Sequence, residues 1–255
     1  VGLLGAKPLA FPLETNNDLS LSKSAFLNDP EPYKRLVGRL IYLAVTRPDL
    51  AFSFHFLALF MQKPREDHWG AALRVVRYLK NNPGQGILLR ADTPFQLSGW
   101  CDSDYASCRL SRKSVTGYFI QLGGSPISWK TKKQKTVSRS SEEAEYRALA
   151  YLTQELIWLK TILSALGVKH NQPMNVRCDS KAAIHIATNP VFHERTKHVE
   201  VDCHFIREEV ITKNICLLHV KSESQLADIF TKPLGRQEFD RFCFKLGITD
   251  LHAPT

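Results

Sequence analysis

The stretch FQLSGWCDSDYASCRLSRKSVTGYFIQLGGSPISWK, residues 95–130, predicts three short β-strands in succession. We expect them at Phe95–Ser103, Ser114–Leu122 and Ser125–Lys130, where apolar and β-branched residues recur between turn-forming residues. Serine and arginine separate the first two strands, and Gly123-Gly124 separates the second from the third. Consecutive strands joined by short turns indicate an antiparallel meander.

After the meander, helices and strands alternate. The expected elements are helix Ser141–Leu166, strand Met174–Cys178, helix Ser180–Thr188, helix His198–Thr212, strand Ile215–Val220 and helix Ser224–Phe230. The long helix has an N-cap at Ser140 or Ser141, acidic residues in its first turn, and Gly167 just after its end. The order predicts an α/β fold with a mixed sheet.

A doubly wound dinucleotide-binding domain would instead begin with strand–helix alternation and a glycine-rich turn. No GxGxxG or GxxxxGK[ST] stretch occurs, and Gly117, Gly123 and Gly124 lie between strands and not ahead of a helix. Among common small folds, the element order therefore favours a ribonuclease H-like mixed five-stranded sheet with flanking helices, preceded by a small helical unit.

The helical unit is predicted from residues 1–93. A lead-in rich in Pro, Asn, Asp and Ser, Ala6–Pro32, predicts little regular structure, and helices are expected at Tyr33–Val45, Pro48–Met61 and Arg65–Leu79. The segment Asn81-Asn82-Pro83-Gly84 ends the third helix. We expect domains at 1–93 and 94–234, and a tail at 235–255 with a helix near Gln237–Leu246.

Composition points to a globular protein with a polyanionic partner. The chain has 255 residues, 44% of them hydrophobic, and 34 Lys plus Arg against 25 Asp plus Glu give a formal charge of +9. The six cysteines are scattered without a CxxC pair, which indicates buried, reduced thiols. No apolar run approaches the roughly 18 residues of a membrane span. The amino terminus VGLLGAKP carries neither an initiator Met nor a signal pattern, so we expect a piece of a longer polyprotein.

Four carboxylates stand where this fold would bring distant residues to one point. Asp102 lies in the first strand, Glu145 in the first turns of the long helix, Asp179 at a strand end, and Asp228 at the start of the last helix. Each alone has an ordinary explanation, such as an N-cap or a solvated surface. As an ordered set they predict a two-metal site, because Mg²⁺ prefers a few carboxylate ligands. Asp104 shares strand parity with Asp102, so the pattern leaves open which of the two binds metal.

A series of motifs runs through the chain in order. They are WCDSDYA (100–106), RKSVTGY (112–118), PISWK (126–130), SRSSEEAEY (138–146), CDSKAAI (178–184), NPVFHERTKH (189–198) and QLADIFTKP (225–233). Together they resemble the ribonuclease H domain of Ty1/copia retrotransposon polyproteins. Upstream, LVGRLIYL (36–43), TRPD (46–49) and VRYLK (76–80) resemble the carboxy-terminal thumb and connection part of the same family's reverse transcriptase.

The resemblance implies an endoribonuclease that hydrolyses the RNA strand of RNA/DNA hybrids. It implies Asp102, Glu145, Asp179 and Asp228 as the catalytic and metal-binding set for two Mg²⁺ ions, with Mn²⁺ as a substitute. The implied partners are the hybrid and the remainder of the reverse transcriptase polyprotein. The implied location is intracellular, in cytoplasmic virus-like particles, with nuclear access as a further option.

The chain has no Tyr-x-Asp-Asp motif, so we do not expect it to polymerise DNA by itself. Ribonucleases H often carry a mobile histidine shortly before the last acid, and His219 falls in a predicted strand, which leaves that role open.

Basic residues near the predicted site suggest how nucleic acid could be held. The candidate contacts are Lys130, Lys132, Lys133, Lys135 and Arg139, followed by Lys113, Lys181, Arg195 and Lys197. Basic runs are usually solvated loops, but beside a hybrid-cleaving site such residues would contact phosphates.

A zinc site is an alternative interpretation of the region that contains His193, His198 and His204 together with Cys203 and Asp202. Their spacing lacks an i, i+4 ligand pair on one helix face, so we favour polar surface or substrate contact.

Two other functions remain open at this point. One is a catalytically silent relic or domesticated module that binds hybrid without cutting it, against which the intact acids argue. The other is a transposase or integrase, which shares the sheet and the two-metal chemistry but acts on DNA ends.

Overall fold

The structure is a computed structural model that describes residues 2–189 and 200–250. The chain divides into two compact units, one formed by Leu89–Thr231 and the other by Val1–Leu88 together with Lys232–Thr255. The finer division into domains 1–93, 94–234 and 235–255 stays a prediction. Among the described residues, none of the helices is both long and apolar enough to cross a bilayer.

The first unit is mainly helical. A 3₁₀ turn at Leu19–Leu21 comes first. It is followed by α1 (Glu31–Leu43), α2 (Ala51–Ala58), α3 (Glu66–Asn81) and the short strand β1 (Gln85–Ile87). The predicted helix Pro48–Met61 is interrupted, because Pro48–Leu50 forms a 3₁₀ turn before α2 begins. The three helices meet around buried side chains that include Tyr33, Leu57 and Val75.

The second unit contains the predicted meander and the alternating part. Its elements are β2 (Leu97–Asp104), β3 (Val115–Leu122), β4 (Ser125–Lys133), α4 (Ser141–Ala165), β5 (Met174–Cys178), α5 (Lys181–Thr188), α6 (Glu200–Ile211) and β6 (Ile215–His219). Two 3₁₀ helices follow, Ser222–Ser224 and Leu226–Phe230. Beyond this unit, the first unit resumes with α7 (Arg236–Lys245) and β7 (Ile248–Asp250).

The sheet of the second unit has the strand order β4-β3-β2-β5-β6. β2 pairs antiparallel with β3, and β3 with β4, while β2 and β5, and β5 and β6, are parallel. The predicted mixed five-stranded sheet with flanking helices is therefore confirmed. The parallel pairing places the carboxyl ends of β2, β5 and β6 at one edge of the sheet, which is where open α/β sheets assemble sites.

Helix α4 covers one face of this sheet. Leu149, Leu152 and Leu156 of α4 are fully buried in a core shared with β2, β3 and β5. On the opposite face the 3₁₀ helix Leu226–Phe230 packs over β3, and the rings of Phe119 and Phe230 stack with centroids 5.9 Å apart. The helix predicted at Ser224–Phe230 is thus present as a 3₁₀ helix over Leu226–Phe230.

Two further features differ from the sequence-based expectation. β4 continues to Lys133, three residues beyond its predicted end, because Lys132 and Lys133 pair with Thr116 and Val115 of β3. β1 and β7 were not predicted, and they pair antiparallel with Ile87 opposite Ile248. Local sequence carries no signal for a pairing of residues so distant in the chain.

Candidate active site

Asp102 lies at the β2 side of the site. It pairs with Gly117 of β3 and is only 5% exposed. The Thr231 hydroxyl donates a hydrogen bond to Asp102 Oδ2. Burying a carboxylate is costly unless it is hydrogen-bonded or paired with a cation, and Thr231 supplies the first of these. Asp104 lies two residues further on, at the half-buried end of the strand.

Glu145 reaches the same place from α4. The Ser140 side chain caps this helix by accepting a hydrogen bond from the Glu143 amide at 3.2 Å, which sets where the first turn begins. Glu145 Oε1 accepts a hydrogen bond from the Ser103 amide at 3.2 Å. Its other oxygen, Oε2, is buried and has no hydrogen-bond partner among the described residues.

Glu145 lies among other groups that can carry negative charge. Several causes together raise the pKa of Glu145 to about 10: burial is the largest, and the charges of Asp102, Cys178 and Asp179 follow. An opposite charge nearby would reverse this effect, since it favours the ionised carboxylate. The donor set and the orphaned Oε2 atom therefore fit a bound cation.

Asp179 completes the closest group. A carboxylate oxygen of Glu145, one of Asp179 and the Cys178 sulfur all lie within 4.8 Å of one another. Asp179 Oδ1 lies 3.4 Å from Gln225 Nε2, and its Oδ2 accepts a hydrogen bond from the Ser222 hydroxyl at 3.3 Å. The carboxylates, rather than the soft thiol, are the ligands that suit Mg²⁺.

Asp228 comes from the 3₁₀ helix that follows β6. It is buried in the 3₁₀ helix Leu226–Phe230, and its carbonyl oxygen lies 3.1 Å from the Thr231 hydroxyl that also bonds to Asp102. The structure thus brings Asp102, Glu145 and Asp179 together by charge and contact. It links Asp228 to them through Thr231, whose hydroxyl lies within hydrogen-bond distance of both the Asp228 carbonyl oxygen and Asp102 Oδ2.

Gly117 allows the 3₁₀ helix to lie this close to the sheet. A Cβ added at Gly117 would stand 2.7 Å from Thr231 Cγ2 and 2.8 Å from Phe230 Cβ. Only a residue without a side chain fits there, so the glycine of the VTGY stretch positions both Thr231 and the helix that carries Asp228.

Sequence reasoning did not single out the residues that orient the acids. Gln225 is the clearest case: its fully buried side chain donates to the Cys101 carbonyl at 2.8 Å and also approaches Asp179. Thr231 and Ser103 act in the same way on Asp102 and Glu145. The one available signal was that Gln225 and Thr231 both fall in the QLADIFTKP stretch.

The predicted basic run does not form one surface. Because β4 is a strand, Lys130 and Lys132 point to the face covered by α4, whereas Lys133 points to the other face, where its Nζ lies 4.0 Å from Cys108 Sγ. Lys135 and Arg139 are exposed beyond the strand.

The other basic candidates and the histidine cluster are only partly described. Lys181 is exposed at the start of α5, and Lys113 is half-buried just before β3. Arg195, Lys197, His193 and His198 lie outside the described residues. His219 ends β6, and one of its ring nitrogens lies 3.1 Å from the Asp179 carbonyl oxygen.

No protein-family model matches the chain. It is 43% identical over 246 residues to the retrovirus-related Pol polyprotein from transposon RE2 of Arabidopsis thaliana, covering 96% of this chain. It is 37% identical over 244 residues, or 92% of this chain, to the Pol polyprotein from transposon TNT 1-94 of Nicotiana tabacum. The chain spans 17% and 18% of the lengths of these two relatives.

Among solved structures, LC11-RNase H1, isolated from compost by a metagenomic approach, is similar at 17% identity with a TM-score of 0.41. That likeness covers 58% of this chain and 97% of the other. At these values it bears on neither the site nor the activity.

Proposed function

Because this chain belongs to the Ty1/copia-type retrotransposon Pol polyproteins, we propose that Leu89–Thr231 is a ribonuclease H that hydrolyses the RNA strand of RNA/DNA hybrids. The observation that carries the proposal is the convergence of Asp102, Glu145 and Asp179 at one place, where Glu145 also has a buried Oε2 atom without a hydrogen-bond partner among the described residues. Asp228 is the proposed fourth acid.

In this proposal the four acids hold two Mg²⁺ ions, or Mn²⁺ in their place. When bound, the ions would supply activation of the attacking water and stabilisation of the leaving oxygen, so that the products carry a 3′-hydroxyl and a 5′-phosphate. The chain's own residues orient the acids: the Ser103 amide holds Glu145, Thr231 holds Asp102, and Gln225 with Ser222 holds Asp179. The basic residues beside the site would contact phosphates without reading bases.

The test compares cleavage of a labelled RNA/DNA hybrid by the full chain and by Asp102→Asn, Glu145→Gln and Asp179→Asn. Each variant should lose about a thousandfold or more in rate, since losing a metal ligand removes several kcal/mol of transition-state stabilisation. Glu208→Gln, at an exposed acid on α6, is the matched control and should cut normally. Unchanged cleavage by a folded Asp179→Asn variant would refute the assignment.

The same assay separates the competing functions. Hybrid binding without cleavage in Mg²⁺ and in Mn²⁺ would identify a silent binding module. Cleavage of duplex DNA in preference to hybrid would identify an integrase-like enzyme.

The partners and the location are part of the same proposal. The relatives are polyproteins of which this chain spans about a sixth, so the rest of the reverse transcriptase is the proposed protein partner. A virus-like particle inside the cell is the proposed location.

A further inference from the structure

A pocket of about 250 Å³ opens between α4 and the edge strand of the sheet. α4 packs over β2 and β3, and a cleft remains between α4 and β4. Its lining comes from β3 (Thr116, Tyr118), β4 (Lys130, Lys132) and α4 (Tyr151, Gln154, Glu155). None of the four acids lines the pocket, although Lys130 and Lys132 are also among the basic residues proposed to contact phosphates of the hybrid.

The pocket holds opposite charges at separate positions. Lys130 is exposed at its mouth, and the Lys132 ammonium lies over the Tyr151 ring, 5.0 Å from the centroid. Glu155 lies opposite, where its Oε1 accepts a hydrogen bond from the Ser128 hydroxyl at 2.9 Å. The pocket therefore offers two cations and one anchored carboxylate.

Tyr118 of β3 lines the same pocket beside this carboxylate. Burial is the largest cause that raises the pKa of Tyr118, and the adjacent Glu155 carboxylate raises it further. Glu155 is thus flanked by Ser128 and Tyr118 on the sheet side, and its remaining acceptor capacity is available to a ligand.

A ligand that suits this lining must combine three properties. It needs an anionic group for the lysines, neighbouring N–H donors for Glu155, and a flat body small enough to lie against Tyr151. A nucleotide has all three, and unstacked bases are commonly bound by aromatic side chains and by hydrogen bonds to the Watson–Crick edge. Guanine presents an imino N–H and an amino N–H side by side, and the two can donate hydrogen bonds to the oxygens of one carboxylate. A backbone phosphate alone would leave Glu155 unused, and an apolar ligand would leave the charges unpaired.

The pocket is also connected to the acidic cluster. Thr116 accepts a hydrogen bond from Gln134 Nε2 at 3.0 Å, and the same nitrogen lies 3.4 Å from the Ser103 hydroxyl. The Ser103 amide in turn holds Glu145. Tyr151 follows Glu145 by six residues, or about 9 Å along the helix axis.

We propose that this pocket binds one unpaired nucleotide, guanine in preference to other bases, with its phosphate at Lys130 and Lys132 and its base edge at Glu155. The proposal does not depend on hydrolysis. Binding can be measured in EDTA, so its failure and the failure of the nuclease assignment are separate results.

The test is an NMR titration of the ¹⁵N-labelled full chain with guanosine 5′-monophosphate, inosine 5′-monophosphate and inorganic phosphate. Guanosine monophosphate should shift the pocket signals, including those of Tyr151 and Gln154, with saturation. It should bind about tenfold more tightly than inosine monophosphate, which lacks the amino donor, because one hydrogen bond to a charged group is worth about that factor. Phosphate alone should bind more weakly still.

Two variants test the two ends of the ligand. Glu155→Gln should abolish the preference for guanosine over inosine monophosphate, and Lys130→Ala should weaken both nucleotides several-fold. Glu208→Gln and Lys169→Ala, at exposed residues outside the pocket lining, are the charge-matched controls and should change neither result.

Three outcomes would overturn the proposal. One is the lack of a saturable shift in the pocket signals. Another is equal binding of phosphate and both nucleotides, which would identify an anion site only. The third is an unchanged affinity in Lys130→Ala, whose exposed side chain can be removed without risk to folding.

Discussion

Replacing Gly117 by alanine should displace Asp228 and Thr231 while all four acidic residues of the site keep their identity. The added Cβ would stand 2.7 Å from Thr231 Cγ2, 2.8 Å from Phe230 Cβ and 3.0 Å from the Ala227 carbonyl oxygen. Carbon atoms in contact normally lie about 3.5–4.0 Å apart. Because the backbone of a central strand cannot yield easily, the 3₁₀ helix Leu226–Phe230 must move away by about 1 Å to restore that separation.

The cost of this movement has two parts. Overpacking of a well-packed site destabilises a protein by about 1–3 kcal/mol, which urea unfolding would detect. A displacement of about 1 Å in the reacting geometry costs on the order of a hundredfold in rate. We therefore expect Gly117→Ala to cleave hybrid about a hundredfold more slowly, measured with a fluorescent substrate under conditions where the variant remains folded.

Gly124→Ala is the matched control. A Cβ there would meet only Thr93 Cγ2, at an ordinary 3.8 Å. Alanine restricts the unfolded chain more than glycine does, so this control should be as stable as the parent or more stable by about 0.5–1 kcal/mol. If Gly117→Ala matched Gly124→Ala in both stability and rate, the argument that Gly117 positions the 3₁₀ helix would be wrong.

Two further predictions concern the first unit. Lowering the pH from 7 to 5 should destabilise it through His68, whose Nδ1 accepts a hydrogen bond from the Arg65 amide at 2.9 Å. Burial is the largest cause that lowers the pKa of His68 below its usual 6.5, so its contribution to stability is present above pH 6.5 and is lost as the pH falls through the folded-state value. Urea unfolding at several pH values checks this, and an equal pH dependence in His68→Gln would contradict it. Asp49→Asn should cost about 3–5 kcal/mol of unfolding free energy, because it leaves Arg47, only 6% exposed and 2.7 Å from Asp49, without its buried counter-charge. The exposed Asp92→Asn change is the control, and similar unfolding midpoints for the two variants would contradict the prediction.

Much of the second unit could be predicted because its signals are local. Alternating apolar residues predicted β2 and β3 within two residues of their observed bounds. The helical period, with Ser140 or Ser141 as N-cap, predicted α4, and the structure has Ser140 as the cap. The failures lie where pairing or packing overrides local pattern. β4 runs on to Lys133 because β3 offers a partner strand, and the local pattern does not show that the helix at Leu226–Phe230, which packs over Gly117, is of the 3₁₀ type.

The acids of the candidate site were recognisable from residue type and order, but their support was not. Neither charge nor periodicity marks Gln225, whose role depends on reaching the carbonyl of Cys101, 124 residues away. The sequence also did not show that Lys132 and Lys133 point to opposite faces of the sheet, because β4 was expected to end at Lys130.

Residue order alone predicted most elements of the second unit in their observed succession and named four carboxylates as candidates, since helix and strand periods and capping residues act over a few neighbours. The meeting of Asp102, Glu145 and Asp179, the closeness of the 3₁₀ helix at Gly117 and the pocket beside β4 required the packed fold. The reason is physical: distances between side chains far apart in the chain depend on strand register and on how closely helices approach the sheet, and many distant contacts set both together.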